Sequence, residues 1–303
     1  MQKLPRLRFV DSPKLLPPAP PEGRVVTLDL AFAAGGWFER ATRPFILDLG
    51  LRLARWIDHH PHPAWSEYEG DPRFLLVDKQ EAPACPQLVT PELIESIGPV
   101  DHVIAHADFD GMLSAAKFLR GGTQPYPEAD EDGRAIDAPG QGYVCSERGM
   151  RLALAMERSG DAHRSKHGDF AVQVAHSLVE GKEPAALAAT IDKYAAQARK
   201  RQAELRELLA DAVRDHPSIL LLRLPRNVSA SDKKNLLREL EESATLALIE
   251  EPAALTAATY DARLKLTQVS GLHGTDGLAW GKTRYDEIRD ELIEMVEALE
   301  PGG

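Results

Sequence analysis

Cysteine is nearly absent from this 303-residue chain, which has only Cys85 and Cys145. Two thiols cannot build the disulfide framework that holds small secreted domains, so a reducing, cytoplasmic setting is expected. Both cysteines read as small buried hydrophobes rather than redox groups or ligands. Long hydrophobic runs are lacking as well: no stretch approaches the roughly 18 apolar residues a membrane-spanning helix needs. The opening MQKLPRLRFVDSPKLLPPAP has no continuous apolar core of the kind a secretory leader carries. Positive charge is in deficit, with 47 acidic against 36 basic residues and a net charge of −11. That argues against a protein coating long nucleic acid through a broad basic face. It leaves room for a short nucleic-acid substrate held in a local cleft of cations.

What the chain does have is enough apolar content, 43%, for a sizeable core. Residues 1–23 are rich in proline and read as an extended arm. Short β-branched runs then alternate with helical segments from residue 24 to about 180. RVVTLDLAF (24–32), FLLVDK (74–79) and DHVIAHAD (101–108) read as strands. TPELIESIG (90–98) and MLSAAKFLRGG read as helices with Thr90 as a start and Gly98 and Gly121-Gly122 as stops. ILDLGLRLARWI has mixed spacing and stays ambiguous between helix and strand. The alternation predicts an α/β fold with a mainly parallel sheet, whose ligands bind beyond the carboxyl ends of the strands. Residues 184–216 hold one long Ala-, Leu-, Glu- and Arg-rich connecting helix, and 217–303 a smaller α/β domain.

The chemistry-bearing residues collect at expected strand ends. In HADFDG, His106, Asp108 and Asp110 alternate, so their side chains share one side of an extended chain and can converge on a cation. One imidazole with several carboxylates suits manganese, iron or zinc better than calcium alone. A surface turn rich in Asp and Gly would look the same. Asp58-His59-His60 places adjacent imidazoles on opposite faces, one toward metal and one toward substrate, unless it is a polar loop continuing into Pro61-His62-Pro63. Asp29, after VVTL, is either a third strand-end carboxylate or a simple turn residue.

Taken together, WIDHHPH, VIAHADFDGMLSAAKFL and VVTLDLA resemble the DHH phosphoesterase family, named for its Asp-His-His triplet. That family also carries an H-x-D-x-D-G loop and a strand-end Asp shortly before the triplet. The resemblance spans most of residues 24–285 and implies a metal-binding catalytic domain at 24–183. It implies that His106, Asp108 and Asp29 hold one divalent cation, and that Asp110, Asp29 and His59 hold another, with Asp29 bridging. His60 would face the scissile phosphate, with Asp58 beside it among the catalytic residues. The family places its loop before the triplet, whereas here it follows, so a circular permutation is expected. The family's last metal-binding Asp has no clear counterpart; within EADEDGRAIDAPG, Asp137 is the choice and Asp132 the next, against a solvated acidic loop.

In the smaller domain, SGLHGTDGLAWG resembles the Gly- and His-containing turn of the DHHA1 domain that often follows, with Leu272 where a glycine is expected. That implies substrate binding by Gly271, His273 and Gly274, helped by a cation such as Arg263 or Lys265. The implied cofactors are two divalent cations, manganese first and magnesium as an alternative. The implied reaction is hydrolysis of phosphodiesters in short oligonucleotides or cyclic dinucleotides by an activated water. Alternatives are a pyrophosphatase on the same site and an inactive nucleotide-binding module. Expected partners are a small phosphorylated substrate or short single-stranded nucleic acid, with no membrane and a homodimer allowed.

Overall fold

The computed structural model describes residues 4–138, 142–162 and 164–299. The chain divides into two compact units, the first ending at Ala198 and the second starting at Arg199. The first unit is built on five strands, β1 (Arg6–Val10), β2 (Val25–Leu28), β3 (Leu53–Asp58), β4 (Phe74–Leu76) and β5 (His102–His106). They lie in the order β1-β5-β2-β3-β4, and every pairing is parallel.

A parallel sheet needs helices on both faces, and the sequence supplies apolar residues for each. Successive strand residues point to opposite sides. Val26, Leu28, Ile57, Val103 and Ala105 therefore enter one core with Met112 and Leu113. Val25, Trp56 and Ile104 enter the other with Phe38 and Phe45. The first core is closed by α3 (Phe109–Leu119), α5 (Glu147–Ala162), α6 (Arg164–Glu180) and the start of α7 (Ala185–Leu209). The second is closed by α1 (Arg43–Leu49) and the turns before it, while α2 (Pro91–Ile97) leads into β5.

Four expectations change. Residues 1–23 are not only an extended arm, because Arg6–Val10 forms the edge strand β1, paired with β5. RLRFV alternates arginine with Leu and Phe, a strand pattern, and the prolines of the arm fall outside it. The ambiguous ILDLGLRLARWI is both elements in turn, α1 to Leu49 and β3 from Leu53, with Gly50 at the break. The acidic segment holds a helix, α4 (Ala129–Asp137), instead of a solvated loop; Asp130, Glu131 and Asp132 in its first turn complement the helix dipole. Pro139 and Gly140 of that segment lie outside the described residues. Finally, α7 stops at Leu209 and not near 215, because Val213–His216 pairs as β6 with Ile219–Arg223, β7.

The second unit has a mixed six-stranded sheet, completed by β8 (Leu246–Glu251), β9 (Ala254–Ala258), β10 (His273–Gly274) and β11 (Leu278–Gly281). Helices α8 (Ala230–Glu241) and α9 (Tyr285–Glu297) contribute to two separate cores, Leu236, Leu237 and Leu240 to one and Tyr285, Ile288 and Leu292 to the other. Among the described residues no helix is long and apolar enough to cross a membrane.

Candidate metal centre

Three neighbouring strands, β5, β2 and β3, end side by side, and each delivers polar residues at its carboxyl end. Asp29 follows β2 with a φ of 54°, the left-handed region that non-glycine residues seldom adopt. Its amide donates to the Ile57 carbonyl at 2.9 Å, which fixes this turn of the backbone against β3. The strain aims a fully buried carboxylate with no hydrogen-bond partner on either oxygen.

His59, also fully buried, faces it. Its Nδ1 lies 2.7 Å from the Ala82 carbonyl, which can only accept, so Nδ1 carries the proton and donates. In the neutral ring the lone pair is then on Nε2. That nitrogen lies 3.3 Å from Asp29 Oδ1, 3.3 Å from Asp110 Oδ2 and 3.4 Å from Asp137 Oδ2. A lone pair surrounded by carboxylate oxygens is repelled by all of them unless a cation or protons intervene. Across Asp29, His106 Nδ1 is 3.9 Å from Oδ2 and 2.9 Å from Asp108 Oδ2. His60 Nδ1 lies 2.9 Å from Asp58 Oδ1 and 3.7 Å from Asp29 Oδ1.

The loop works because Asp108 begins α3. Its Oδ1 accepts from the Gly111 amide at 2.9 Å, as an N-cap does. A side chain at 111 would put its Cβ 2.3 Å from the His106 carbonyl oxygen, so only glycine lets the helix start this close to the strand. Asp110 points from the first turn into the cluster, where its Oδ2 accepts from the Cys85 amide at 2.8 Å.

Electrostatics separate these carboxyls. Burial, and then the charge of Asp108, pushes Asp29 well above the usual carboxylate range. Burial, and then Asp29, does the same to Asp110. Burial also raises Asp137, but Lys79, followed by His59 and His60, outweighs it and holds that carboxyl at about 2. Protein groups thus stabilise the charge on Asp137 and leave Asp29 and Asp110 wanting a cation.

The donor set fits such a cation. Among the described residues, three groups have ligand atoms within 4.8 Å of one another: Asp29, His59 and His60; Asp29, His106 and Asp108; His59, Asp110 and Asp137. Asp29 belongs to two of them, and Asp58 Oδ2, Asp110 Oδ1 and His59 Nε2 are further buried atoms without a hydrogen-bond partner. Mixed imidazole and carboxylate donors suit manganese, magnesium or zinc.

The structure thus gathers Asp29, Asp58, His59, His60, His106, Asp108, Asp110 and Asp137 in one place. Asp132 is elsewhere: it accepts from the Ser146 amide and hydroxyl, the latter at 2.7 Å, at the start of α5. Four contributors were not visible in the sequence. Lys79 reaches Asp137 Oδ2 at 2.5 Å from the loop after β4, where a longer strand was expected. The Ala82 carbonyl and Cys85 amide act through backbone atoms, which leave no mark on residue type. Lys117 is buried, and its ammonium bonds the Pro86 carbonyl at 2.9 Å and Asp130 Oδ2 at 2.6 Å, tying that loop to α4. The Cys85 thiol is pushed up by burial and then by Asp29, so it sits as a thiol and not as a thiolate ligand.

Gly271, His273, Gly274 and Arg263 all lie in the second unit. His273 is exposed on β10 and stands edge-on to Trp280, ring centroids 6.2 Å apart. Gly274 has a φ of 148° and a Cβ there would meet the Leu278 carbonyl oxygen at 2.4 Å, so glycine is required. Asp261 engages the Arg263 guanidinium, with Nε 2.9 Å from Oδ1. Lys265 pairs with Asp276 at 3.3 Å.

No family model matches the chain, and no curated protein matches its sequence. Among solved structures it is similar to the pGpG-specific phosphodiesterase PggH from Vibrio cholerae, at 12% identity and a TM-score of 0.47, covering 91% of this chain and 99% of that one. It is similar to the exonuclease RecJ bound to manganese, at 13% identity and a TM-score of 0.44, covering 92% of this chain and 76% of that one. RecJ from Thermus thermophilus in complex with Mn2+ gives 15% identity and a TM-score of 0.45, covering 91% of this chain and 45% of that one.

Proposed function

We propose that this chain is a divalent-metal-dependent phosphodiester hydrolase of the DHH kind, acting on short oligonucleotides or dinucleotides. The observation that carries the reading is the His59 Nε2 lone pair set among Asp29, Asp110 and Asp137, beside a second group that shares Asp29. His106, Asp108 and Asp29 would hold one cation, and Asp29, His59, Asp110 and Asp137 the other. Cations held there would acidify a water and offset charge on a phosphoryl oxygen during in-line attack.

The chain's own residues do the rest. Asp29 turns one oxygen toward His59 and the other toward His106, the disposition a shared carboxylate needs. The Ala82 carbonyl and Cys85 amide hold His59 and Asp110 in the orientation that presents their donor atoms, as outer partners of a metal site do. With His60 Nδ1 given to Asp58, the other ring nitrogen is left to carry a proton to a non-bridging oxygen or the leaving group. Asp58 orients that ring and balances its charge when protonated.

The substrate class rests on the sequence resemblance, including the His273 turn of the second unit. The inactive-module alternative drew on the missing last carboxylate and on the altered motif order; Asp137 Oδ2, 3.4 Å from His59 Nε2, favours the active reading on the first of these. The test is an assay of the manganese-loaded protein against a 5′-phosphorylated dinucleotide, a short single strand and inorganic pyrophosphate. Nucleotide products support the proposal. Turnover of pyrophosphate alone, or none of the three with two manganese ions bound, overturns it.

A further inference from the structure

Lys79 places an ammonium where a divalent cation would go. Its Nζ is 2.5 Å from Asp137 Oδ2, and that same oxygen is 3.4 Å from His59 Nε2. The oxygen that would share an ion with His59 and Asp110 is therefore already claimed by a side chain of the protein. A divalent cation on that oxygen would sit within a few ångströms of a like charge. The two cannot both hold it comfortably.

Lys79 is also built to leave. It stands in the turn after β4, where the Gln80 amide donates to Asp78 Oδ1 at 2.8 Å and the Ala82 amide to the Asp78 carbonyl at 3.0 Å. The backbone is thus fixed while the side chain, one-third exposed, hangs on a flexible four-carbon stem. The ammonium can swing to water without disturbing the Ala82 carbonyl that orients His59.

We infer that Lys79 is a tethered counter-cation that competes with the divalent ion for Asp137 and weakens binding at the His59, Asp110 and Asp137 position. This rests on the metal-site reading above. It predicts the opposite of a purely structural pair: if Lys79 served only to pin Asp137, removing it would loosen the metal.

The experiment is manganese titration by calorimetry, with stoichiometry checked by elemental analysis, on wild type, Lys79→Gln, Lys79→Met and Lys79→Arg. Loss of the competing charge should tighten one binding step by about fivefold or more. Lys79→Arg, which keeps the charge, should stay near wild type. Unchanged or weaker binding in both neutral variants overturns the inference. If wild type binds manganese and only the neutral variants fail to differ, the Lys79 inference falls alone. If no variant and no wild-type protein binds, the metal-site reading falls with it. A readout on the unmutated protein guards against misfolded variants: manganese should free the ammonium, so acetylation of Lys79, followed by mass spectrometry, should quicken on adding the ion. An unchanged rate counts against displacement.

Discussion

Both units bury acidic residues, and they treat them differently. In the second unit Glu250 and Glu251 are 2% and 4% exposed. Glu250 is met by Arg223 at 3.1 Å and Arg284 at 2.5 Å, and Glu251 by Lys233 and the Val228 amide. In the first unit Asp29 and Asp58 are 0% exposed and Asp110 is 3% exposed, yet several of their oxygens have no hydrogen-bond partner. A buried carboxylate answered by arginine is a finished structural device. One left with open lone pairs beside imidazole nitrogens is able to hold a cation. The contrast locates function more sharply than acidity does, because the chain is acidic throughout.

The comparison can be broken by mutation, and the largest effect should be on turnover. His59→Ala or Asp108→Ala should lower manganese-dependent hydrolysis by about 1000-fold or more while leaving the circular dichroism spectrum unchanged. Full activity in a metal-replete assay would end the assignment. His60→Ala should cost about 100-fold in kcat with metal content intact, as loss of a proton-carrying group does. Equal loss of metal would make His60 a ligand instead.

Stability should separate the two units by sign. Glu250→Ala should destabilise by about 2 kcal/mol, since Arg223 and Arg284 lose their partner but are half exposed and can be solvated. Asp29→Asn should raise the melting temperature of the metal-free protein by a few degrees, because asparagine tolerates the left-handed backbone and removes a repelled charge. Melting both variants in chelator decides this; a fall for Asp29→Asn would mean its charge is satisfied within the chain.

The pH dependence follows the same logic. Asp29 and Asp110 bind protons more tightly folded than unfolded. Their contribution is complete below the unfolded value of about 4 and is lost as pH rises through the folded values. Asp137, held at about 2, contributes above that unfolded value and loses it as pH falls toward 2. The metal-free protein should therefore lose stability as pH rises above about 4, and the melting shift caused by manganese should grow over the same range. A shift that shrinks with rising pH would contradict it. The smallest effect should come from His273→Ala, a rise in KM of about three- to tenfold, the worth of one hydrogen bond, with full metal content. Unaltered kinetics on a dinucleotide would reduce that turn to a connector.

Much of the site was legible because strand ends announce themselves. Asp29, Asp58, His59, His106 and Asp108 each follow or close a short apolar run, and that placement predicts convergence in a parallel sheet. Asp110 was legible from the spacing within its loop. Asp137 was harder to read, since it ends a helix in an acidic stretch and nothing local distinguishes it from Asp130 or Asp132. Lys79 could not be read at all: a lysine after a strand is ordinarily solvated, and its partner is 58 positions away. Edge strand β1 was hidden by the prolines around it. The reordered motif was visible, but only the sheet order shows β5 inserted between β1 and β2, which sets the His106 loop next to Asp29.

That insertion bears on how the protein comes into being during synthesis. Arg6 is registered against His102 and Val25 against the same residue, so two early strands share one late neighbour. Until the ribosome has released the chain past His106, β1 has no hydrogen-bonding partner in its sheet, and β2 can pair only with β3. Long-range parallel pairing is slow to nucleate, and it leaves nascent edges exposed in the meantime. Pairing of β2 with β3 already sets Asp29 beside Asp58, through the Asp29 amide on the Ile57 carbonyl. His106, Asp108 and Asp110 reach them only when β5 docks, so the step that completes the sheet is also the step that concentrates the negative charge. A nascent chain stalled before residue 102 should bind manganese no better than a disordered acidic peptide.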